Sequence, residues 1–216
     1  MLGQNFDDLS SYINFLDKIG DLKRIKTEVD PILEISEISC KTIEQDGPAL
    51  LFENVKGSSF PVATNLFGSE ERLRLALGCN PKELGEEILS FAEKVMPPKL
   101  DNLFKSVPFI RRLTNFRSKE QAFNPPCQQI EDAINLEDLP IIKCWPEDGG
   151  RFITMGLTIT ESPINGKSNM GMYRLQMHEK DKLGMHWHPH KGGATHYHEA
   201  KQLGQTFPAA IVLGGD

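Results

Sequence analysis

The hydrophobic and polar positions in the first part of the chain predict helices and strands in alternation. Residues 6–19 carry apolar side chains at helical spacing and predict a helix. Asp7 or Asp8 can cap its first turn, and Gly20 can end it. A strand-like run, KRIKTEV, comes next, and Asp30-Pro31 predicts the start of a second helix that extends to Gly47. The apolar stripe of the first helix consists of Leu9, Ile13, Leu16 and Ile19.

Two strand-like runs follow, ALLFENV and PVATNLF, and the turn-forming sequence KGSS joins them. A short helix, ERLRLALG, and a longer helix come after these strands. The longer helix begins with Asn80 as the cap and Pro81 at the first helical position, and it ends before Pro97-Pro98. Helices and strands mixed in this order predict an N-terminal α+β domain over residues 1–98.

The segment at residues 99–126 differs in charge and in composition. It contains six basic side chains and one acidic side chain between Lys99 and Lys119, and a proline pair stands on each side of this run. The prolines and the missing periodicity predict a linker or an interdomain crossing. The alternative is a basic surface for an anionic substrate or for peripheral contact with a membrane.

From Cys127 onward the pattern becomes that of short strands. FITMGLTIT and MGMYRLQMH each have strand periodicity, and Asn165-Gly166 between them predicts a hairpin with a type I′ turn. LGMHWH is expected to form the next strand, GATHYHEAKQLG a helix opened by glycines, and FPAAIVLGGD a buried strand. Several short strands in succession favour a barrel or a sandwich over residues 127–216. A strand that runs into a Gly-Gly turn is typical of entry into an active-site loop, so we expect the N-terminal part of a longer protein.

Composition restricts the partners and the compartment. The formal net charge of −6 argues against nucleic acid as the main partner. No apolar run is long enough for a transmembrane helix and the first residues carry no secretory signal, so a cytoplasmic protein is expected, with a peripheral position at the inner membrane as the alternative. The cysteines are widely spaced without a CxxC pair and are expected to be free thiols. They are Cys40, Cys79, Cys127 and Cys144.

All six histidines of the chain lie within residues 178–198. Imidazole binds metals and changes its charge near neutral pH, so this concentration indicates a chemical site. His186, His188 and His190 are spaced by two and could share a metal ion on one face of a strand, as in a zinc hydrolase. Pro189 lacks an N–H group and is expected to end or kink that strand, which weakens this hypothesis.

Two further features of this stretch indicate anion chemistry. The sequence HKGG at residues 190–193 precedes a helical pattern, and glycines at a helix N-terminus let backbone N–H groups approach a phosphate. Gly-Gly is also an ordinary turn sequence, so this signal alone is weak. Arg174 lies among apolar residues with strand spacing, where it is either a surface residue or a fork for a carboxylate.

Three motifs together resemble the UbiD family of decarboxylases, which use prenylated flavin mononucleotide (prenylated FMN). Residues 169–176, NMGMYRLQ, match the family pattern N-x-G-x-Y-R-x-Q. Residues 186–194, HWHPHKGGA, match (H/R)-W-x-x-H-(K/R)-G-G-A, and residues 139–154 match LPI-x-K-C-W-P-x-D-x-G-x-FIT. The resemblance extends over essentially the whole chain.

The resemblance implies an α+β fold, in which an N-terminal mixed α/β domain is followed by the first part of a split β-barrel of the flavin-reductase-like kind. It implies prenylated FMN and Mn2+ as cofactors, with K+ as a further candidate, and it implies Asn169 and His190 as metal ligands. Arg174 would be the catalytic arginine that holds the substrate carboxylate. The residues expected to line prenylated FMN are Thr154, Met172, Tyr173, Arg174, His186, Trp187, His188, Lys191 and Gly192.

The implied activity is reversible, non-oxidative decarboxylation of an aromatic or unsaturated carboxylic acid, with 4-hydroxy-3-polyprenylbenzoate in ubiquinone biosynthesis as the first candidate. A flavin prenyltransferase would supply the cofactor, and the longer protein would form homo-oligomers. The family's third metal ligand, a glutamate, and the acidic residues of its proton-transfer network have no match before Asp216. We therefore expect the 216-residue chain to be inactive by itself. The alternative is a flavin- or metal-binding module without chemistry of its own.

Overall fold

The structure is a computed structural model that describes residues 6–95, 123–133 and 135–214. The described residues fall into two compact units. One unit contains residues 6–69 and 135–214, and the other contains residues 70–95 and 123–133. Most of the predicted linker lies outside the described residues, and the domain boundaries drawn from the sequence remain predictions.

Helix α1 (Leu9–Lys18) forms as predicted because its first turn is capped. Asp8 Oδ1 accepts a hydrogen bond from the Ser11 N–H at 2.6 Å, and the Asp8 N–H donates to the Ser11 hydroxyl at 3.2 Å. Gly20 follows the helix with φ +81°, a conformation that favours glycine. Ile19 is the C-cap residue and is 48% exposed, so its predicted place on the buried stripe is wrong.

We expect Asp8→Ala to lower the free energy of unfolding by about 1 kcal/mol, because the substitution leaves the Ser11 N–H without its acceptor. Thermal unfolding followed by circular dichroism measures this loss. Asp7→Ala is the matched control, since it removes the same charge one residue earlier without removing the cap. Equal loss in the two variants would show that charge, and not capping, stabilises this end of α1.

The second helix, α2, spans Glu34–Glu44 and begins after Leu33. The sequence predicts a start at Asp30, and that prediction is wrong. Asp30 makes a turn before the helix, in which its Oδ1 accepts from the Ile32 N–H at 2.8 Å. This hydrogen bond, and then the ammonium of Lys56 at 3.0 Å, hold the pKa of Asp30 below its usual value. The Asp30 carboxylate therefore stabilises a turn and forms an ion pair with Lys56, and it does not cap the helix.

The first sheet has three strands and supports the N-terminal core. Strand β1 (Leu22–Ile25) pairs in parallel with β2 (Ala49–Phe52), and β2 pairs in antiparallel fashion with β3 (Val62–Thr64). The central strand β2 is buried along its whole length. The buried cluster formed by this sheet and α2 consists of Val29, Ile35, Leu50, Phe52 and Val55.

The smaller unit contains two helices at the predicted positions, α3 (Glu70–Leu77) and α4 (Pro81–Val95). Asn80 Oδ1 accepts from the Lys82 N–H at 3.0 Å, so the asparagine and the following proline start α4 as their spacing indicates. A short 3₁₀ turn spans Pro126–Gln128.

Residues 152–212 form two antiparallel three-stranded sheets, with strand orders β4-β7-β8 and β6-β5-β9. Helix α5 (Gly192–Gln202) packs on β5 and β6. Ile141, Ile153 and Leu175 form the buried cluster of the first of these sheets. The strands are β4 (Phe152–Ile153), β5 (Leu157–Glu161), β6 (Ser168–Met172), β7 (Leu175–Glu179), β8 (Lys182–Met185) and β9 (Ala209–Val212). The α+β fold class is confirmed, and the strands of the described residues do not close into a barrel.

Several strand predictions need correction. FITMGLTIT is not one strand, because β4 ends at Ile153 and β5 begins at Leu157 in another sheet. MGMYRLQMH is not one strand, because β6 ends at Met172 and β7 begins at Leu175 in another sheet. The β5–β6 connection spans residues 162–167 with a positive φ at Gly166 but not at Asn165, so it is not the predicted type I′ turn. Strand β9 is largely exposed, since it pairs with β5 at the edge of its sheet.

Two sequence-based expectations concern the whole chain. The four cysteines are free thiols, as predicted. Among the helices that the structure describes, none has the length and apolar character needed to cross a membrane.

Candidate functional site

The chain passes from one sheet to the other at Tyr173 and Arg174. Strand β6 ends just before this pair, and β7 begins just after it. The two side chains have opposite environments, since Tyr173 is 4% exposed whereas Arg174 is exposed. The Arg174 guanidinium lies over the Phe152 ring, 5.0 Å from its centroid. Stacking on one face leaves the N–H groups at the guanidinium edge available to a carboxylate.

The first turn of α5 makes its side-chain hydrogen bond with Tyr173 and not with the helix's own N-cap residue. Its N-cap residue, Lys191, is extended, with φ −93° and ψ 149°, and its side chain makes no capping hydrogen bond. The Gly193 N–H donates to the Tyr173 hydroxyl at 2.8 Å. An α-helix leaves its first N–H groups without partners inside the helix, so this end of α5 is suited to bind an anion.

Both glycines at the start of α5 lie in close contact with side chains of β6, of the sheet crossing and of the loop after β8. A Cβ atom on Gly192 would collide with Asn169 Oδ1. A Cβ atom on Gly193 would lie 2.6 Å from Trp187 Cζ3 and 2.8 Å from the Tyr173 hydroxyl. Because such separations are shorter than side chains tolerate, α5 can approach β6 this closely only with glycine at both positions.

The histidines are not arranged as ligands on a strand. Strand β8 ends at Met185, so His186 and His188 lie in the loop that follows. The His186 N–H donates to the Arg174 carbonyl at 3.0 Å, and the ring centroids of His188 and His190 lie 5.8 Å apart. In the part of the chain that the structure describes, no three His, Cys, Asp or Glu side chains converge as a metal site. The geometry therefore gives no support to a zinc hydrolase.

Asn169 and His190, which the resemblance assigns to a metal, both lie close to the start of α5. Asn169 presents its amide oxygen next to Gly192, and His190 is an exposed residue of the turn that leads into α5. Oxygen and imidazole donors suit manganese. The helix N-terminus and the adjacent Lys191 suit a phosphate group. The donor types of this corner are those that a phosphate-bearing cofactor with a bound cation would need, and the assignment of one cation to Asn169 and His190 remains a prediction.

The remaining residues expected to line the cofactor lie at the ends of the same elements. Thr154 follows β4 and Met172 ends β6, and both are exposed. Trp187 packs edge-on against Tyr173, with ring centroids 5.0 Å apart, and stacks on Tyr197 at 6.0 Å. Direct contacts thus join the crossing to the start of α5, whereas the roles of the individual residues toward a cofactor remain predictions.

A row of buried polar contacts beneath α5 was not predicted from the sequence. Thr160 Oγ1 lies 3.1 Å from His196 Nδ1, and the Ser162 hydroxyl donates to Glu199 Oε2 at 2.6 Å. The sequence signal that could have found them is residue spacing. Thr160 and Ser162 are two residues apart, as on one face of a strand, and His196 and Glu199 are three apart, as on one face of a helix. These contacts fix α5 on β5, and they thereby hold its N-terminus beside Asn169.

Comparisons with known proteins agree with this architecture. Residues 13–92 match the family model described as the 3-octaprenyl-4-hydroxybenzoate carboxy-lyase N-terminal domain, and residues 118–216 match its Rift-related domain. An uncharacterised protein of Aquifex aeolicus (strain VF5) is 43% identical over 219 residues, which cover 100% of this chain and 45% of that protein. The chain thus spans about half the length of the relative that it matches.

Solved structures of UbiD-class enzymes have the same fold. An evolved dimeric form of HmfF from Pelotomaculum thermopropionicum, in complex with prFMN, matches with a TM-score of 0.75 and 25% identity over 97% of this chain and 45% of that chain. The closed form of vanillic acid decarboxylase from Sedimentibacter hydroxybenzoicus matches with a TM-score of 0.76 and 26% identity over 99% of this chain and 44% of that chain. With two domain models of the family matched in order along the chain, the chain belongs to the UbiD family of carboxy-lyases.

Proposed function

We propose that this chain forms the cofactor- and metal-binding part of a prenylated-FMN-dependent decarboxylase for an aromatic or unsaturated carboxylic acid. One observation carries the proposal: two glycines bring the N-terminus of α5, which its own N-cap side chain does not cap, against Asn169 and Tyr173, directly beside the crossing that exposes Arg174. The arrangement offers a cation ligand, a phosphate site and a carboxylate fork within one corner of the fold. The prFMN in the HmfF structure supports the choice of cofactor.

Each group of the corner has a distinct role in this proposal. The N-terminus of α5 and Lys191 bind the cofactor phosphate, while Asn169 Oδ1 and His190 bind Mn2+, with K+ as a further candidate cation. Arg174 binds the substrate carboxylate through its N–H groups, and Phe152 holds the guanidinium plane in place. Prenylated FMN, when bound, supplies the electron sink for the loss of carbon dioxide.

The finer assignments rest on the family resemblance. The proposed substrate is 4-hydroxy-3-polyprenylbenzoate in ubiquinone biosynthesis, which agrees with the description of the matched family models. A flavin prenyltransferase supplies the cofactor, and the enzyme is a cytoplasmic homo-oligomer with a peripheral position at the inner membrane as the alternative. The proposed domains are residues 1–98 and 127–216, joined by a linker at 99–126.

A second candidate function is a binding module without turnover. Within the described residues, no acidic side chain pairs with Arg174. A decarboxylase also needs a group that delivers a proton to the carbon that loses carbon dioxide. We therefore propose that the 216-residue chain binds cofactor and cation but does not turn over by itself. Release of carbon dioxide by the loaded chain would contradict this part of the proposal.

The test of the proposed function is cofactor binding by the 216-residue chain. We expect FMN to bind in the presence of Mn2+, with quenching of flavin fluorescence, and we expect riboflavin, which lacks the phosphate, to bind at least about tenfold more weakly. Equal affinity for FMN and riboflavin would contradict a phosphate site at α5. No binding of either flavin would contradict the proposed function of the chain.

We expect His190→Ala to lower the affinity for Mn2+ and for FMN together, each by about tenfold or more, because the cation and the phosphate share one corner. Isothermal titration of both ligands measures the two effects. His198→Ala is the matched control, since His198 is an exposed histidine of α5 with no proposed role. Unchanged Mn2+ affinity in His190→Ala would remove this histidine from the site.

A further inference from the structure

Tyr173 lies between the two groups that the proposed site uses. Its hydroxyl accepts the Gly193 N–H at 2.8 Å, and the Asn169 side-chain amide nitrogen lies 3.5 Å from the same oxygen. The second separation is long, so this is the weaker of the two contacts. One buried hydroxyl thus connects the first turn of α5 with the proposed cation ligand on β6.

The ring of Tyr173 leaves no face for a cofactor. The residue is 4% exposed, and Trp187 packs edge-on against the ring with centroids 5.0 Å apart. On another side, a Cβ atom on Gly171 would lie 2.8 Å from Tyr173 Cε2, so the backbone of β6 is in close contact with the ring. A side chain enclosed in this way acts on a ligand through its neighbours.

The contacts of Asn169 give its amide a preferred orientation. With the nitrogen toward the Tyr173 hydroxyl, the oxygen faces Gly192 at the start of α5. The opposite orientation would direct an amide donor at the N–H groups of a helix N-terminus, where only acceptors are favourable. A cation ligand must present oxygen, because the amide nitrogen of asparagine has no lone pair to offer.

We infer that Tyr173 is a positioning residue whose hydroxyl orients the Asn169 amide and fixes the first turn of α5, so that Asn169 Oδ1 faces the cation. This inference rests on the proposed function, and it differs from the expectation that Tyr173 lines the flavin. It assigns the hydroxyl, rather than the aromatic ring, as the functional part of the side chain. Residues that orient a metal ligand through a hydrogen bond affect metal affinity without touching the ion.

Tyr173→Phe tests the inference in the 216-residue chain, because it keeps the ring and removes the hydroxyl. We expect its Mn2+ affinity to fall about tenfold. Tyr12→Phe is the matched control. Tyr12 lies in α1, which contains no residue of the proposed site; it is also 4% exposed, and its hydroxyl donates to the Leu66 carbonyl at 3.1 Å. We expect Tyr12→Phe to lower the melting temperature and to leave Mn2+ affinity within about twofold. A tenfold loss in both variants would indicate a global effect and overturn the inference.

A double-mutant cycle separates orientation from general damage. The two oxygens of a carboxylate are equivalent, so Asn169→Asp presents an oxygen to the cation in either orientation. In the Asn169→Asp background, we expect the Mn2+ penalty of Tyr173→Phe to shrink from about tenfold to less than about threefold. An unchanged penalty in that background, or Mn2+ affinity unaffected by Tyr173→Phe alone, would overturn the inference.

The orientation can also be measured without any substitution, in case Tyr173→Phe does not fold. In the nuclear magnetic resonance spectrum of the unsubstituted chain, the Asn169 NH₂ protons should show nuclear Overhauser contacts to the Tyr173 ring. Contacts from these protons to Gly192 instead would overturn the inference. An unsubstituted chain that binds neither Mn2+ nor FMN would overturn the inference too. That result would contradict the proposed function itself, and it can be told apart from failure of the Tyr173 inference because it is seen before any substitution is made.

Discussion

Arg174→Ala is expected to lower kcat/KM for decarboxylation on the order of 10²–10³-fold, the range found when a donor to the reacting group is removed from an active site. The guanidinium stacks on Phe152, so its plane is fixed before a carboxylate arrives. Arg174→Lys should recover little of this loss, because an ammonium keeps the charge but not the planar fork that meets both carboxylate oxygens. Carbon dioxide release measures the effect.

The assay uses a longer chain that contains residues 1–216 and that has first been shown to release carbon dioxide. One candidate joins these residues to the remaining part of the Aquifex aeolicus relative, which is 43% identical over this chain. Arg151→Ala is the matched control. Arg151 lies next to the same strand, β4, and its Nη2 is 3.0 Å from Met177 Sδ rather than near the crossing. Activity of Arg174→Ala near that of the parent enzyme would show that another group binds the carboxylate.

Gly193→Ala is expected to abolish measurable binding of FMN and Mn2+ and to lower the free energy of unfolding by about 1–3 kcal/mol. The new Cβ atom would lie 2.6 Å from Trp187 Cζ3 and 2.8 Å from the Tyr173 hydroxyl. Both neighbours are parts of rigid aromatic side chains that pack on each other, so neither can move without moving the other. The start of α5 must therefore shift away from β6. Flavin titration and thermal unfolding measure the two effects.

Gly85→Ala is the matched control for this variant. Gly85 lies inside α4, and an added Cβ atom meets nothing within 4 Å, so alanine should stabilise that helix by about 0.5–1 kcal/mol. Unchanged FMN affinity in Gly193→Ala would show that the close approach of α5 to β6 is not needed for binding. A small loss of FMN affinity, together with the whole expected loss in the free energy of unfolding, would show that glycine is needed at position 193 for packing and not for ligand geometry.

The sequence by itself determined the parts of this protein that depend on neighbours along the chain. Asp8, Gly20 and Asn80 start or end helices through hydrogen bonds and dihedral angles within a few residues, and the structure has them at the predicted places. The three motifs between residues 139 and 194 indicated the family, which the matched domain models confirm. Local rules were sufficient for these features because each depends on a short segment.

The tertiary structure alone decided how the corner around α5 is assembled. Strand spacing predicted one continuous strand through Tyr173 and Arg174, because periodicity cannot show that the strands on either side join different sheets. Tyr173 contacts Gly193, which is 20 positions away along the chain, and Thr160 contacts His196, which is 36 positions away. Such pairs form only when a helix packs on a particular strand in a particular register. For Tyr173 and Gly193 the physical cause is the closeness that glycine permits between the start of α5 and the Tyr173 side chain.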